Sequence, residues 1–344
     1  MSEEYFAPLT DEFLCSVLGD IGPDPETPKK GLVEHITPKE KEELLTAAKI
    51  DVTDMAQKKK YEALITQYHD VFSKTKFDLG HTDIIKHSIR MRHKEPVHVP
   101  QFRVPFTHEE TIQDYVKQLL KQGAIEESRS PYNSPIFGVA KKEQENSPAD
   151  HTRLRVVLDY RQLNDASMTD RYCIREIREC VDEVGRNQSA VFAALDLTAG
   201  FWQQALEEES RQYTAFTVPG MQARYQWKVT PMGLQGSPAS FARLMDHVMR
   251  GITGVLTYID DVLVHARSHE ELLPKLEETF LRLRKYGLKL NVEKSIFGTS
   301  RLQYLGYTLT PEGVSVSDEK TRDMKQAAPP DTPLKIKSFV GVCN

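Results

Sequence analysis

Two adjacent aspartates, Asp260 and Asp261, stand between two short apolar runs at 255–259 and 262–266. The runs are rich in β-branched residues, which predicts two strands joined by a tight hairpin. Two like charges at one hairpin tip repel each other unless a cation lies between them. The pair therefore favours a divalent cation site, although two aspartates are also typical of an ordinary solvated turn.

A third carboxylate supports the metal interpretation. Asp196 follows the apolar run 192–195 and is expected at the end of a buried strand. Three acids at neighbouring strand ends would form an all-oxygen site of the kind that suits magnesium. Two such ions stabilise the attacking hydroxyl and the leaving pyrophosphate in an in-line phosphoryl transfer. The reaction class that this pattern predicts is nucleotidyl transfer.

Such a reaction also needs cations for the triphosphate, and Lys141 and Arg155 are the candidates. Each alone is typical of a solvated surface residue, so their value depends on the neighbouring acids. Phe201 and Trp202 follow Asp196 closely enough to form an aromatic floor beside the metals, although Trp202 also fits a core position. The chain has no Walker-type phosphate loop, no GxSxG elbow and no HExxH.

The order of the predicted elements indicates an α+β fold, with an antiparallel sheet backed by helices on one face. Thr37 and Glu40 predict a capped helix, as do Thr107 with Glu110 and Ser268 with Glu271. Gly123 is expected to end the second of these helices. A further helical stretch is expected at about 55–69, a helix from 237 onward, and strands at 135–140, 153–160, 190–195, 214–218 and 223–229.

Charge is unevenly distributed along the chain. The formal net charge is −5 overall, and residues 1–83 alone are strongly acidic. Residues 1–30 combine acids with prolines at 23, 25 and 28, which is typical of a loose tail. The near-neutral remainder could still concentrate positive charge in one cleft, so composition alone leaves the partner open.

Targeting and redox signals are absent from the sequence. No apolar run approaches the length of a membrane span, and no secretory signal pattern begins the chain. The cysteines at 15, 173, 180 and 343 form neither a zinc knuckle nor a CxxC pair. We therefore expect a reduced, intracellular protein that is not secreted.

Six segments together resemble the reverse transcriptases of gypsy-type LTR retrotransposons. The resemblance covers about 90–342, and any one segment is modest support, whereas six in the family's order are specific. The matching segments are 133–137, 155–164, 195–201, 231–238, 258–261 and 304–307, with a weaker likeness at 72–89 to the text that precedes the polymerase.

The resemblance implies a right-hand polymerase. It places an acidic N-terminal extension, partly disordered and partly helical, at 1–90, and the fingers and palm at 91–320. Residues 321–344 would begin the thumb or connection segment, so that most of the thumb, the RNase H and the integrase of a Pol polyprotein would be missing from this chain.

The resemblance also implies roles for particular residues. Asp196, Asp260 and Asp261 would form the catalytic triad and bind two magnesium ions, or manganese as a substitute, with the Leu197 carbonyl assisting. The predicted nucleotide-binding residues are Lys141, Arg155, Phe201, Met232 and Gly233, with Phe201 excluding a ribose 2′-hydroxyl. The predicted primer and template contacts are Tyr258, Arg161, Tyr304, Leu305 and Gly306.

The leading hypothesis is an RNA-directed DNA polymerase that acts on a primed RNA or DNA template with deoxynucleoside triphosphates, in the cytoplasm or in virus-like particles. The alternative is a catalytically silent descendant that persists as a nucleic-acid-binding or interaction module. An RNA-templated RNA polymerase is a third possibility, and Phe201 argues against it because such an enzyme gains nothing from a ring that rejects ribose.

Overall fold

The structure is a computed structural model that describes residues 36–75, 77–140 and 154–317, with short stretches at 329–333, 335–337 and 341. The predicted tail at 1–30, the charged hairpin tip at 141–152, Cys15, Cys343 and most of the predicted thumb segment at 321–344 lie outside the described residues. The helices are α1 (Pro38–Ala47), α2 (Met55–Gln67), α3 (Phe106–Lys121), α4 (Arg161–Ala166), α5 (Ile177–Arg186), α6 (Glu208–Arg211), α7 (Ser237–Val248) and α8 (His269–Lys285). The strands are β1 (Lys49–Ile50), β2 (Thr82–His87), β3 (Ile125–Glu127), β4 (Ser134–Ala140), β5 (Leu154–Leu158), β6 (Val191–Leu197), β7 (Gln204–Leu206), β8 (Phe216–Thr217), β9 (Arg224–Trp227), β10 (Val255–Tyr258), β11 (Asp261–Ala266), β12 (Leu290–Thr299), β13 (Leu302–Tyr304), β14 (Tyr307–Thr310) and β15 (Gly313–Val316).

The palm sheet has five strands in the order β1-β12-β6-β11-β10. All neighbours are antiparallel except β1, which runs parallel to β12. Apolar residues of β6 and β11 fill its centre, and α7 and α8 contribute apolar residues three and four positions apart to the same core. The helical residues are Phe241, Leu244, Met245, Val248, Leu272, Leu276, Phe280 and Leu283. This arrangement confirms the predicted α+β class.

The fingers sheet has five strands in the order β3-β9-β8-β4-β5. The predicted strand pairs are confirmed, because β4 pairs antiparallel with β5 and β8 pairs antiparallel with β9. Helix α3 packs on this sheet through Ile112, Val116 and Leu119. Gly123, at φ +69°, follows the helix as expected, because glycine adopts the left-handed conformation at little cost.

Two smaller sheets complete the described structure. A three-stranded sheet, β13-β14-β15, follows the palm sheet in the chain, and β2 pairs with β7 in parallel. The three-stranded sheet, called here the C-terminal sheet, shares a core with the palm through Phe192, Leu263 and Leu302.

The sequence predicts three helix caps from pairs of residues three positions apart, and two of these three are confirmed. Thr37 caps α1 in a capping box with Glu40, and Ser268 caps α8 by accepting the N–H of Glu271. The capping box predicted at Thr107 is wrong, because α3 begins at Phe106 directly after Pro105. Pro105 ends the extended run, so Thr107 falls inside the first turn, where its side chain is not at the cap position.

Residues 36–90 pack into the palm core. Tyr61, Ile65 and Phe72 are buried there, and β1 adds a strand to the palm sheet. Arg284 of α8 donates to the carboxylate of Asp70 with Nε to Oδ2 at 2.8 Å. The predicted boundary at residue 90 stays a prediction about where the polymerase motifs begin. Residues on both sides of this boundary pack into the palm core.

No helix within the described ranges is both long enough and apolar enough to cross a membrane.

Candidate active site

The three predicted catalytic acids meet at one edge of the palm sheet. Asp261 opens β11 and lies directly opposite Asp196 of β6, so both side chains project from the same face of the sheet. Asp260 occupies the turn before β11, and a Cβ on Gly200 would lie 3.3 Å from the Asp260 Cβ. The buried Gly200 therefore lets the hairpin tip approach the chain that follows Asp196.

The hairpin tip is a two-residue turn, Ile259-Asp260, between Tyr258 and its partner Asp261. Ile259 has φ +57°, which a β-branched residue rarely adopts. Such a conformation costs about 1–3 kcal/mol and persists only where the surroundings hold it. Here the Ile259 side chain packs against the palm core, so burial of the side chain opposes the backbone strain that aligns the two aspartates.

The crowded carboxylates perturb one another. Loss of hydration, followed by the charges of Asp260 and Asp196, raises the pKa of Asp261 to about 6. Loss of hydration also raises the pKa of Asp196, while Lys294 lowers it. The three carboxylates at this edge of the sheet therefore repel one another, and a bound cation would reduce that repulsion.

Lys294 supplies part of that missing positive charge. Its Nζ lies 3.4 Å from Oδ2 of Asp196, and its side chain is 67% exposed. The backbone N–H of Asp196 donates to Oγ of Ser295 at 3.2 Å. Strand β12 therefore contacts Asp196 through two consecutive residues, Lys294 and Ser295. Sequence reasoning missed both residues, because a lysine and a serine in a strand carry no signal until the fold places them beside Asp196.

Oxygen donors at this edge suit magnesium. Across the described part of the chain, no three acidic, histidine or cysteine side chains gather closely enough to enclose a metal ion. Magnesium does not need such a cage, since it binds through one or two carboxylates and completes its octahedron with water and phosphate oxygens. The open set of Asp196, Asp260 and Asp261 fits that chemistry, and the buried Leu197 can contribute only through its backbone.

The C-terminal sheet closes one side of the carboxylate edge. Asp196, Asp261 and Lys294 share a cavity of about 140 Å³ with Tyr304 and Leu305. The β13–β14 turn is Leu305-Gly306, and both residues have positive φ, +50° and +81°, as a two-residue type I′ turn requires. The fold thus brings the predicted primer-contacting turn to the predicted catalytic acids.

A larger cavity of about 780 Å³ lies in the fingers. Arg155, Met232 and Gly233 line it, and Met232 is 56% exposed. Asn164 holds the loop that carries the last two, because its Nδ2 donates to the Gly233 carbonyl and its Oδ1 accepts the N–H of Gln235, each at 2.9 Å. Asn164 lies in a matching motif, yet sequence reasoning gave it no role.

Phe201 and Trp202 link the two regions. Both belong to a short 3₁₀ helix, Gly200–Gln203, that follows β6. The Phe201 ring packs edge-on against Phe241 with centroids 5.4 Å apart, and Trp202 lines the large cavity. The rigid support of Phe201 suits a side chain that must exclude an atom by its shape.

Of the predicted cations Arg161 and Lys141, the structure describes only Arg161. Arg161 is largely exposed and binds Asp159 through both carboxylate oxygens, Nε to Oδ1 at 2.8 Å and Nη2 to Oδ2 at 2.6 Å. Its contact with a template stays a prediction. Lys141 lies outside the described residues, so its predicted place beside Arg155 also stays a prediction.

A buried polar network supports the end of β6. The fully buried Gln203 donates from Nε2 to the carbonyls of Thr198 and Lys289, at 2.7 and 2.9 Å, and accepts the N–H of Lys289 at 2.7 Å. Ser73 donates to Oγ1 of Thr198 at 2.8 Å. These bonds tie the chain just after Asp196 to β12 and to the N-terminal segment, and sequence reasoning predicted none of them.

Comparison with known proteins agrees with this geometry. The family described as "Reverse transcriptase (RNA-dependent DNA polymerase)" matches residues 139–309. The chain is 34% identical over 290 residues to the retrovirus-related Pol polyprotein from transposon 412 of Drosophila melanogaster, covering 83% of this chain and 23% of that protein. It is 30% identical over 300 residues to the corresponding polyprotein from transposon gypsy of the same species, covering 86% and 28%. The chain thus spans about a quarter of the length of these curated relatives.

Solved structures are similar as well. A foamy viral protease-reverse transcriptase in complex with dsDNA superposes with a TM-score of 0.74 at 25% identity, covering 91% of this chain and 63% of that one. The same kind of protein in complex with an RNA/DNA hybrid gives a TM-score of 0.71 at 25% identity, covering 90% and 40%.

The fold, the carboxylate edge and these similarities define the class: the chain belongs to the reverse transcriptase family. Within that family, the similarity to the Pol polyproteins of transposons 412 and gypsy supports the predicted likeness to gypsy-type LTR retrotransposon reverse transcriptases.

Proposed function

We propose that this chain is the polymerase portion of a retrotransposon Pol protein and adds deoxynucleotides to a primer 3′ end by two-metal phosphoryl transfer. The register that sets Asp261 opposite Asp196, with Asp260 in the adjoining turn, carries the proposal. The family generally uses divalent metal ions, typically magnesium, and these three acids are the side chains that would hold them. When bound, the ions supply charge stabilisation for the attacking and leaving oxygens.

The chain's own residues have distinct tasks in this proposal. Asp196, Asp260 and Asp261 present a concentrated negative charge that selects cations, and the Leu197 backbone lies beside them. Lys294 neutralises Asp196 in part while the edge holds no other cation. Lys294 therefore relieves part of the repulsion within the cluster, and the charges of Asp260 and Asp261 are left for metal to balance.

Nucleotide selection is assigned to the fingers cavity and the 3₁₀ helix. Arg155 and the 141–152 tip that carries Lys141 would bind the triphosphate, because guanidinium and ammonium groups match phosphate oxygens. Met232 and Gly233 would contact the base or sugar from the loop that Asn164 holds. Phe201, supported by Phe241, would leave no room for a ribose 2′-hydroxyl.

Primer and template are assigned to the surface that joins the palm to the C-terminal sheet. Tyr258 pairs with Asp261 in the hairpin, and Tyr304 ends β13 directly before the Leu305-Gly306 turn. Arg161 would contact the template phosphates. The foamy viral relatives are in complex with dsDNA and with an RNA/DNA hybrid, which supports the same class of ligand for this chain. RNase H and integrase would belong to the remainder of the Pol protein.

Primer extension tests the proposal. The full chain is incubated with a poly(rA) template, an oligo(dT) primer, dTTP and magnesium, and duplex binding is followed in parallel by fluorescence anisotropy. We expect extension that EDTA abolishes, that Asp260→Asn reduces by about three orders of magnitude or more, and that Asp165→Asn, an exposed acid on α4, leaves unchanged.

The two readouts separate the alternatives. Duplex binding without extension by the wild-type chain would overturn the polymerase proposal and favour a silent binding module. Extension that survives Asp260→Asn would overturn the assignment of the carboxylate edge.

A further inference from the structure

A further cavity lies at the opposite end of the palm sheet from the carboxylates. It has a volume of about 460 Å³ and lies where β6 begins and β11 ends, at the pair Val191 and Ala266. Five residues along β6 separate Val191 from Asp196, a span of about 17 Å. The residues that line this cavity include none of those assigned to catalysis, nucleotide or primer.

Basic side chains dominate the unpaired charge of this cavity. Arg175, Arg267 and Lys275 line it together with Glu183 and Glu271. Arg175 is paired with Glu183 at 3.3 Å, whereas Glu271 accepts only the backbone N–H of Arg267, also at 3.3 Å. Among the ion pairs between described residues, none within 4.0 Å includes the Arg267 guanidinium or the Lys275 ammonium. Arg267, whose Nε donates to the Asn187 carbonyl at 3.1 Å, and Lys275 are therefore outside these ion pairs, and the Glu271 carboxylate lies in the same lining.

Lys275 is held inward. Its Nζ donates to the carbonyl of His265 at 3.0 Å, and a Cβ on Gly254 would lie 2.5 Å from that nitrogen. Gly254 thus leaves the space that the ammonium occupies. Loss of hydration and the charge of Arg267 lower the pKa of Lys275, against the opposing influence of Glu271. The Lys275 ammonium has lost hydration and has one carbonyl acceptor in return. An anion in the cavity would therefore stabilise its charged form.

A buried histidine adds an unused polar atom. His265 lines the cavity and is 1% exposed, its Nδ1 lies 2.7 Å from Oγ of Ser189, and its Nε2 is buried with no hydrogen-bond partner. When the Ser189 hydroxyl donates to Nδ1, the imidazole proton is on Nε2, and that N–H requires an acceptor.

We propose that this cavity binds a phosphate dianion, either as inorganic phosphate or as the terminal phosphate of a nucleotide or oligonucleotide. Arg267 and Lys275 outweigh the single negative charge of Glu271, so these three groups carry a net charge of +1, and phosphate oxygens can accept from the guanidinium and ammonium donors together. The proposal concerns a site separate from the polymerase centre and does not depend on the polymerase proposal.

Calorimetric titration of the full chain with inorganic phosphate, at 0.1 M NaCl with EDTA, tests the site. The chelator keeps metal, and hence metal-bound phosphate, away from the carboxylate edge. We expect saturable binding that weakens about tenfold or more in Lys275→Met and in Arg267→Met, because each removes one charge-assisted hydrogen bond. Lys59→Met, an exposed lysine of α2, is the charge-matched control and is expected to bind as the wild type does.

Gly254→Ala is the second variant, because its new methyl group would displace the Lys275 ammonium while all charges remain. Circular dichroism and thermal melting of each variant separate a lost site from a lost fold. Phosphate binding that is absent from the wild type, or equal in the wild type and both charge variants, would overturn the proposal.

Competition identifies the source of the phosphate. A dinucleotide with a 5′-phosphate and the same dinucleotide without it are added against bound inorganic phosphate. Displacement by the phosphorylated form alone supports a terminal phosphate, and displacement by neither supports the free ion. Equal displacement by both would show recognition of the phosphodiester monoanion and overturn the dianion site.

Discussion

Asp261 faces Asp196 across the strand pair and follows Asp260 in the chain, and its raised pKa, about 6, has a consequence for stability. An aspartate in the unfolded chain has its ordinary pKa of about 3.8. Between these two values the folded chain keeps a proton that the unfolded chain has lost. Metal-free protein should therefore lose stability as the pH rises from about 4 to about 6.

Chemical denaturation in EDTA across that pH range measures this effect. Asp261→Asn removes the titrating group, so its unfolding free energy should fall less over the window than that of the wild type. Asp165→Asn removes an exposed acid and should follow the wild-type curve. An unchanged slope in Asp261→Asn would contradict the assigned pKa.

Phe201 is the second residue with a specific expectation. Its ring packs edge-on against the buried Phe241, which supports it on one side and restricts its movement. Phe201→Ala should raise the kcat/KM for ribonucleotides about tenfold or more, while the kcat/KM for deoxynucleotides changes less. Single-nucleotide extension with dTTP and with UTP gives both values. Loss of both in parallel would indicate a structural role instead.

Single residues also show where sequence reasoning ends. The meeting of the three acids was predictable, because Asp260 and Asp261 are adjacent and all three acids border apolar strands. The contact of Lys294 with Asp196 was not, since it depends on the register of β12 against β6, and that register is interrupted by irregularities. The contact of Lys294 with Asp196 can be identified only when the position of β12 beside β6 is known.

At the scale of elements, Gln203 joins the end of β6 to the start of β12 through three hydrogen bonds. Gln203→Leu leaves those backbone groups short of partners and should lower the unfolding free energy by about 1–3 kcal/mol. Because these bonds position the chain that follows Asp196, kcat for extension should fall more than KM for the nucleotide rises.

Gln204 provides a matched control. It is also fully buried and donates to the Ile85 carbonyl and to Ser240, away from β12. Gln204→Leu should cost comparable stability yet leave kcat closer to the wild-type value. Equal effects of the two variants on kcat would show that the Gln203 hydrogen bonds stabilise the fold without positioning Asp196.

Local elements were largely predictable and their connections were not. Thr37 and Ser268 cap their helices as the sequence predicts, because a cap depends on residues three positions apart. Thr107 shows the limit, since two overlapping start signals compete and the one set by Pro105 prevails. The bond from Ser73 to Thr198 joins residues 125 positions apart, and no local pattern encodes it.

At the scale of the whole molecule, the acidic N-terminal part is partly structural. A chain that begins at residue 91 would lose Tyr61, Ile65 and Phe72 from the palm core and β1 from the palm sheet. Since loss of one large buried side chain costs about 3–5 kcal/mol, loss of three should abolish cooperative unfolding. Differential scanning calorimetry of the shortened chain measures this directly.

A chain that begins at residue 36 is the control for that experiment, because it retains every described residue of the palm core. If both shortened chains fail to fold, the loss cannot be assigned to 36–90. A cooperative transition in the chain that begins at 91 would show that the palm stands without its N-terminal strand and helices.

The overall architecture was predictable as an antiparallel sheet backed by helices, because the apolar strands and capped helices follow one another in a regular order. The placement of residues 36–90 was not, since their acidity and amphipathic helices suit a solvated segment equally well. The burial of Tyr61, Ile65 and Phe72 in the palm core and the parallel pairing of β1 with β12 reveal that this segment belongs to the palm.

That pairing has a consequence for how the protein is made. Asp51, directly after β1, accepts a hydrogen bond from Thr299 at the end of β12, 248 positions later in the chain. The palm sheet therefore cannot close until nearly the whole described chain has left the ribosome, and folding must wait for contacts of high sequence separation. A nascent polypeptide would therefore keep Asp196 apart from Asp260 and Asp261 until β11 has been synthesised, and β12 and β1 would complete the palm sheet only afterwards.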